Sequence, residues 1–191
     1  MIYSTPTTPI PPDPVFVDKA IAEMQVALEA GLPWLTNAFG RSYTGMRQRG
    51  KDRQFKAPFV YRDNGEYLPV EFNDNLQAQC FFEVGEQSPA NDYEPFVLNW
   101  YEVPVGLIFW VNLKKIDSTT GENYYFAEKL KKDVRDLFRQ MFSSAKIISI
   151  QENVDDIYAE YSFDQVEYKQ YFTYPHCSFK FNFTLQISEE C

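Results

Sequence analysis

Phe179-Lys-Phe-Asn-Phe-Thr-Leu-Gln-Ile187 is the stretch that decides the fold of this chain. Its odd-numbered residues are apolar and its even-numbered residues are polar. Because successive side chains of a strand point to opposite faces of a sheet, the run predicts a strand with one apolar face and one wet face. The protein is therefore expected to contain a sheet that is packed on at least one side.

Composition predicts a single domain with a core rich in large rings. The chain has 191 residues, of which 45% are hydrophobic and 17% are aromatic. A chain of this length removes roughly 70% of its unfolded surface from water, so its core needs no metal or disulfide staples. One core of this size cannot easily bury this many aromatic side chains, and we expect some of them at a surface that contacts a partner.

Charge and cysteine usage narrow the possible functions. A net charge of −9 is unfavourable for wrapping phosphate backbone over the whole surface, although an acidic channel would let nucleic acid slide without sticking. Cys80, Cys177 and Cys191 are far apart in the sequence, which favours a reducing compartment over a disulfide framework. The chain starts without a signal-peptide pattern and has no apolar run of about eighteen residues, so no membrane association is expected.

The N-terminal region predicts an arm followed by a helix. Residues 1–12 hold four prolines and three threonines, which predict an extended arm that is either frayed or draped over a neighbouring subunit. Residues 13–191 are expected to form the domain itself. Asp13-Pro14 predicts an N-cap and a first helical position, and the apolar stripe that follows ends at Gly31. The stripe consists of Val17, Ile21, Met24 and Leu28.

Residues 41–56 lack an apolar period and predict an exposed loop, within an insertion at about 40–58. Such a charged loop is either simply solvated or a patch that contacts an acidic partner or nucleic acid. In a chain this acidic, the cluster suits contact between copies of the same chain. The predicted contact residues are the six basic residues of the segment: Arg41, Arg47, Arg49, Lys51, Arg53 and Lys56.

The middle of the chain predicts strands. Asn64-Gly65, inside residues 59–72, is the signal for a hairpin with a tight turn. Gln79–Val84 predicts a short strand. Val105–Leu113 is apolar almost throughout, which indicates a central strand covered on both faces.

The second half predicts another amphipathic helix and the remaining strands. The helix is expected over Asn123–Phe142, strands are expected at Lys146–Ile150 and 156–163, and 167–174 is expected to be extended. The fold class that results is α+β, a mainly antiparallel sheet with two amphipathic helices packed on it, with an extended N-terminal arm and a long hairpin or loop insertion. The stripe of the second helix consists of Phe126, Leu130, Val134, Leu137 and Met141.

Residues able to carry chemistry are few and isolated. His176 is the only histidine of the chain. Cys177 is adjacent to it in the sequence and Cys80 is far away, so these three residues predict neither a zinc ligand set nor a nucleophile with its base. We expect it to be a turn residue before the last strand. Asp155-Asp156 and 73–75 are acid- and amide-rich but are typical of Asx turns. No catalytic residue, metal site or cofactor is predicted.

Two alternatives remain open at this point. An aromatic-rich sheet module could bind a sugar or another small ligand through Trp34, Trp100 or Trp110. A hydrolase built on a pair of carboxylates would need two of the 27 acidic residues to converge, and no pair stands out.

The order of elements over about residues 13–188 resembles that of the tail-terminator and head-to-tail connector proteins of tailed bacteriophages. It runs helix, hairpin, strands with one buried run, second helix and closing strands. Residues 81–86 and 107–117 are also similar in character to phage and prophage proteins of gut Bacteroidetes. The resemblance lies in element order, so it transfers no site residue.

The resemblance implies a non-enzymatic virion protein that is assembled in the host cytoplasm. Identical copies, about six or twelve of them, would close into a ring in the neck or tail through heterologous contacts. Neighbouring neck, tail or portal proteins would be further partners, and DNA would pass through the lumen without specific binding.

Overall fold

A computed structural model of the chain describes residues 8–49, 53–89, 100–119, 123–162 and 169–188; of Arg49 and Arg53 it describes the backbone only. In these residues the helices are α1 (Val17–Gly31), α2 (Leu113–Ile116), α3 (Phe126–Met141) and α4 (Val154–Ile157), with a 3₁₀ helix at Lys169–Phe172. The strands are β1 (Asn37–Arg49), β2 (Arg53–Asp63), β3 (Glu66–Pro69), β4 (Ala78–Val84), β5 (Ser88–Pro89), β6 (Trp100–Asn112), β7 (Ala145–Gln151) and β8 (His176–Ser188).

The strands form one sheet in the order β3-β2-β1-β4-β6-β8-β7, and β5 pairs with β6 beside this path. The β1–β4 pair is parallel, and the other pairs described are antiparallel. The predicted α+β class with a mainly antiparallel sheet is therefore confirmed.

The alternating run near the C-terminal end lies in β8. This strand pairs with β6 along its whole length, from Asn112↔His176 to Trp100↔Ser188. The odd-numbered side chains of 179–187 are buried, as the alternation predicts. His176 was predicted to lie in a turn, but it is the first residue of the strand and is 6% exposed.

The sheet is packed on both faces, which explains the continuous apolar run in β6. Helices α1 and α3 cover one face, where Phe109 and Phe181 belong to the larger apolar cluster. Helix α4 and the 3₁₀ helix cover part of the opposite face, over Ile108 and Trp110. Since odd and even positions of a strand face opposite sides, both sets of β6 residues are buried.

Helix α3 confirms the second predicted helix, with one change at its end. Phe126, Leu130 and Val134 are buried as expected, but the next buried residue of the stripe is Phe138. Met141 is 37% exposed. Leu137 is half-buried against the same cluster, and Met141 is the last residue of the helix.

Helix α1 has the predicted buried stripe but a later start. It begins at Val17, not at Pro14, and no side-chain hydrogen bond caps it. Asp13 and Phe16 have φ angles of 49° and 52°. A helix cannot pass through left-handed backbone, so the chain turns twice before α1 begins.

The described part of the proline-rich arm packs on its own subunit. Thr8 is 4% exposed, and its hydroxyl donates to the Ala38 carbonyl. Gln25 Nε2 donates to the Thr8 carbonyl at 3.1 Å. From Thr8 onward the arm is therefore anchored between α1 and β1, whereas its contact with a neighbouring subunit stays a prediction. Residues 1–7 lie outside the described residues.

The prediction of an exposed loop at 41–56 is wrong, because both sides of this segment are strand. Strand β1 pairs with β2 in one register from Ser42↔Val60 to Arg49↔Arg53. Ala57 is 1% exposed, and a Cβ added at Gly45 would lie 2.5 Å from the Phe59 ring. Backbone pairing and this close packing hold the hairpin without an apolar alternation.

The hairpin predicted from Asn64-Gly65 is present as β2–β3. Asn64 and Gly65 have φ angles of 49° and 81°. Two consecutive positive φ angles belong to the tight turn whose twist matches that of its strands.

The segment that follows β7 is helical where extended structure was expected. Asn153 Oδ1 accepts a hydrogen bond from the Asp155 backbone N–H at 3.1 Å and caps α4. Ile157 at the end of α4 and Tyr158 directly after it are both buried. Residues 169–172 form a 3₁₀ helix, while 163–168 lie outside the described residues. No helix in the described ranges is long and apolar enough to cross a bilayer.

Candidate interaction surface

The β1–β2 hairpin projects beyond the other strands. Pairing of β1 with β4 ends at Arg41↔Phe82, and β3 pairs with β2 no further out than Phe59↔Pro69. Outward of these positions β1 has β2 as its only strand partner in the described part of the chain. The outer hairpin, which we define as residues 44–49 of β1 with 53–57 of β2, is thus a two-stranded ribbon.

The free edge of the outer hairpin presents backbone hydrogen-bonding groups to solvent. Lys56, opposite Met46, donates its N–H to Ser162 Oγ at 2.7 Å and accepts from the Ser162 N–H at 3.1 Å, on the side away from β1. In an antiparallel ladder, opposed residues exchange both backbone bonds or neither. The N–H and C=O groups of Met46, and of Thr44 and Gln48 two residues away, therefore face outward, without a partner among the described residues.

Apolar side chains are exposed on and beside this ribbon. Met46 is 57% exposed and Leu68 is 47% exposed. Tyr43 and Tyr67 are 42% and 41% exposed and meet edge to face with ring centroids 5.4 Å apart. Met46 and Leu68 lie on one face of the strands and the two tyrosines on the other, so exposed apolar groups flank the open backbone edge on both sides.

Two of the six predicted contact residues are paired within the subunit. Arg41 Nη1 donates to Asp18 Oδ1 at 3.3 Å, and its guanidinium lies 4.9 Å from the centre of the Tyr43 ring. Arg47 forms an ion pair with Glu71. These contacts fix the base and the middle of the hairpin to α1 and to the segment before β4.

Of the other four predicted contact residues, Lys56 is the one whose side chain the structure describes. Lys56 is exposed, and its side chain has no ion pair with the described residues. The side chains of Arg49 and Arg53, and all of Lys51, lie outside the described residues. Their contact role stays a prediction.

Arg62, which the sequence analysis did not single out, lies in a groove at the inner end of β2. Its guanidinium stacks over the Phe39 ring at 4.2 Å, and its Nε is buried without a hydrogen-bond partner in the described part of the chain. Burial lowers the pKa of Arg62, while the neighbouring Glu71 opposes that shift. Glu71 itself is held by Arg47.

The groove around Arg62 has a volume of about 550 Å³. Leu68, Pro69 and Leu76 give it apolar walls, and Asn37 and Asn73 add amide groups. An arginine stays protonated even when partly desolvated, and its planar fork of N–H groups matches a carboxylate. The groove therefore combines Arg62 with one acidic residue of its own chain, Glu71, which is ion-paired with Arg47.

An acidic surface lies on the segment that follows β7 and crosses the sheet to β2, where Ser162 is bonded to Lys56. Asp155, Asp156 and Glu160 are exposed, and residues 152–162 contain no lysine or arginine. None of these three carboxylates has an ion pair with the described residues. We call this surface the acidic turn.

A trough of about 490 Å³ lies on the sheet face that α4 partly covers. It contains an ion pair between a side chain of β4 and a side chain of β8. Lys180 Nζ donates to Glu83 Oε2, and the two side chains are 15% and 17% exposed. The lysine crosses β6 at Gly106, where a Cβ would lie 2.4 Å from Lys180 Cε. The pair exists because β6 has no side chain at that position.

His176 is held by packing and hydrogen bonds. Its ring stacks on Trp110 at 5.0 Å, Nδ1 lies 2.9 Å from the Gln170 carbonyl, and Nε2 lies 2.7 Å from Asp74 Oδ1 and 3.2 Å from Asn112 Nδ2. Both ring nitrogens are thus engaged with the protein, leaving neither directed at an open site.

The cysteines that the structure describes are poor nucleophiles. Cys80 is fully buried, and burial raises the pKa of its thiol. Burial also raises the pKa of Cys177, to about 12. Within the described ranges, no group of three or more His, Cys, Asp or Glu side chains could hold a metal ion.

The three tryptophans have different environments. Trp110 is 1% exposed, and its indole N–H donates to the Tyr171 carbonyl at 2.8 Å. Trp34 is 6% exposed and donates to Asp133 Oδ2 at 3.2 Å. Trp100 is 43% exposed at the start of β6, so it is the ring of the three with a face open to solvent.

Comparison of the chain with protein-family models, curated proteins and solved structures gives no match.

Proposed function

We propose that this chain is a structural subunit of the virion of a tailed bacteriophage, and that identical copies form a ring in the neck or tail around the DNA channel. The subunit acts by assembly and carries no catalytic step. Its partners are copies of itself and adjacent neck, tail or portal proteins, and DNA passes through the lumen without specific contacts.

The outer hairpin is the observation that carries the proposal. A two-stranded ribbon is marginally stable on its own, and an unblocked strand edge is a liability for a monomer. Here the outward backbone groups at Thr44, Met46 and Gln48 lie beside exposed apolar and basic side chains. Such an element gains its stability when a neighbour adds to the edge, so its projection favours an assembling protein.

The distribution of charge supports contact between unlike surfaces. Arg62 of β2 lies in its groove, and the acidic turn is a different surface of the same subunit with the opposite charge. A ring needs one patch to meet a different patch on the next copy. Two unlike surfaces of opposite charge meet that requirement, whereas a two-fold dimer would use one self-complementary patch.

The residues available for chemistry also support a non-enzymatic role. His176 is fixed between Trp110 and three polar neighbours, and burial keeps the two described cysteines protonated. A nucleophile needs a base within hydrogen-bonding reach, and the described contacts of these residues contain no such pair.

The first experiment is native mass spectrometry and negative-stain electron microscopy of the full chain at about 1–100 µM. A closed ring, alone or with tail or portal protein, is expected. A chain that remains monomeric at the highest concentration in the presence of those proteins contradicts the proposal.

The hairpin is tested by Met46→Pro with Met46→Ala as its matched control. Proline removes an outward N–H but no hairpin hydrogen bond, so assembly is expected to weaken while the circular dichroism spectrum of the subunit is unchanged. Alanine keeps the N–H and is expected to leave assembly nearly intact. Equal effects of the two substitutions would show that the strand edge is not the contact.

A further inference from the structure

We propose that the outer hairpin pairs edge to edge with the outer hairpin of a second copy, across a two-fold axis at Met46. The two ribbons then form one four-stranded antiparallel sheet. This contact goes beyond the proposed ring, because a two-fold contact joins copies in pairs. In an assembly built of rings, it links a subunit of one ring to a subunit of a second ring.

The first argument is the direction of the backbone groups along the outer hairpin. The Pro58 carbonyl accepts from the Val70 N–H at 2.8 Å, on the side of β2 away from β1. Pro58 lies opposite Thr44, so the backbone groups of Thr44 also face away from their partner strand. Since the ladder alternates, outward groups recur at Met46 and Gln48.

The second argument is that this edge is complementary to itself. With Met46 opposite Met46 of the second copy, Thr44 lies opposite Gln48 on both sides of the axis. Each of these three opposed pairs exchanges two backbone hydrogen bonds in an antiparallel ladder. The second copy therefore supplies an edge of matching length and direction without any other chain.

The third argument concerns the side chains that the pairing brings together. Met46 is 57% exposed in the subunit, and on the axis the two Met46 side chains become cross-strand neighbours that cover each other. On the other face, Gly45 lies opposite Arg47 of the second copy. Because Arg47 is already ion-paired with Glu71, the register opposes no two unpaired cations on this face.

The fourth argument is charge complementarity between the tip of one hairpin and the base of the other. Antiparallel pairing places the tip of the second hairpin beside the base of the first. Residues 49–53 at the tip contain three basic residues and one acidic residue. At the base, Glu160 lines the trough beside Thr44, and Glu86 follows Gly85 of the same trough. Both glutamates are exposed and have no ion pair with the described residues, so unlike charges meet.

Single cysteines test the register, in a full chain that carries Cys191→Ser. Met46→Cys is expected to form a disulfide between two copies under mild oxidation, because opposed residues of a hydrogen-bonded pair have Cα atoms about 5.5 Å apart. The product is measured on non-reducing gels, and peptide mass spectrometry identifies the linked positions.

The matched controls are Thr44→Cys and Gln48→Cys. Each of them alone is expected not to cross-link, since equivalent residues are four positions out of register and about 13 Å apart. When the two variants are co-expressed, the mixed disulfide between positions 44 and 48 is expected. All three side chains are exposed, and an unchanged circular dichroism spectrum checks that each variant is folded.

A charge series in the Met46→Cys chain tests the contact between tip and base. Lys51→Glu is expected to slow cross-linking at least about fivefold, because it places like charges beside Glu86 and Glu160. Adding Glu86→Lys and Glu160→Lys to that variant is expected to restore the rate to within about twofold. Arg139→Glu, which reverses an exposed charge on α3, is the control and is expected to leave the rate unchanged. Equal slowing by Lys51→Glu and Arg139→Glu contradicts the pairing.

The outcomes separate this contact from the ring itself. Rings that form without the 46–46 and 44–48 cross-links overturn the pairing and leave the ring proposal standing, and the open edge then belongs to another chain. Cross-linking of Thr44→Cys with itself as fast as that of Met46→Cys shows random collision and also overturns the pairing. Dimers with the expected cross-links that form no ring, even with tail or portal protein, support the pairing and overturn the ring. A chain that stays monomeric in native mass spectrometry overturns both proposals.

Discussion

Gly106→Ala is expected to destabilise the protein through a contact on a different strand. The new Cβ would lie 2.4 Å from Lys180 Cε and 3.3 Å from Glu83 Oε2. Since carbon atoms in contact are normally about 3.5–4.0 Å apart, the lysine must move away by roughly 1 Å or more. A lysine terminus moves easily, so the steric cost is small, and the consequence is the loss of its ion pair with Glu83.

The magnitude follows from the burial of that pair. Breaking a fully buried ion pair costs about 3–5 kcal/mol. Here the two side chains are 15% and 17% exposed and the trough above them is open, so a loss of about 2–3 kcal/mol is reasonable. Replacing a strand glycine by alanine returns about 0.5–1 kcal/mol of backbone entropy. The net destabilisation expected is about 1–2.5 kcal/mol.

The assay is urea unfolding followed by the fluorescence of the buried Trp110, with Lys180→Ala and the double variant as partners in a cycle. Lys180→Ala breaks the same ion pair and removes the atom that the new Cβ at position 106 would meet. The double variant is therefore expected to be no less stable than Lys180→Ala alone. Effects of the two substitutions that simply add would refute the account, because they would show that Gly106 acts independently of Lys180.

Three further predictions concern other buried groups. Phe181 has no exposed surface and lies among rings of α3 and β6, so Phe181→Ala is expected to lower the free energy of unfolding by about 3–5 kcal/mol. A loss below about 1 kcal/mol in urea unfolding would show that this core is not packed as described. Burial opposes the charge on Lys131, but hydrogen bonds to Glu128 and Glu152 outweigh it and raise the pKa of this lysine. Because the folded pKa is the higher one, Lys131→Met should be less stable than wild type at pH 8, and the difference should shrink as the pH rises above about 10.5; a gap that stays constant to pH 11.5 in guanidinium unfolding would contradict it. Burial raises the pKa of Cys177 to about 12. Its alkylation by iodoacetamide at pH 8, measured by peptide mass spectrometry, should therefore be about a thousandfold slower in the folded than in the unfolded chain. Similar rates would be inconsistent with a buried thiol.

The sequence by itself determined those elements whose stability is local or periodic. Three local patterns each predict a backbone geometry from a few residues, and the structure contains all three. They are the alternation of 179–187, the apolar stripe of α3 and the Asn64-Gly65 turn. The α+β class followed from these elements because strands with one apolar face and amphipathic helices must cover each other. The start of α1 differs from the prediction because Asp13 and Phe16 have positive φ angles, which the cap signal of the sequence does not reveal.

Only the tertiary structure decided the features on which the interaction surface depends. The outer hairpin is held by cross-strand backbone bonds and by ring packing on small residues, so its sequence has no apolar period to recognise. For Arg62 there was one local signal, since it lies two residues after the buried Val60 and hence on the same face of β2. Whether that arginine finds a partner, however, depends on Phe39 and Glu71, which are distant in the chain and close only in the fold. Local sequence determines backbone geometry because that energy comes from neighbouring residues, whereas the pairing of a charge is set by whatever the completed fold places around it.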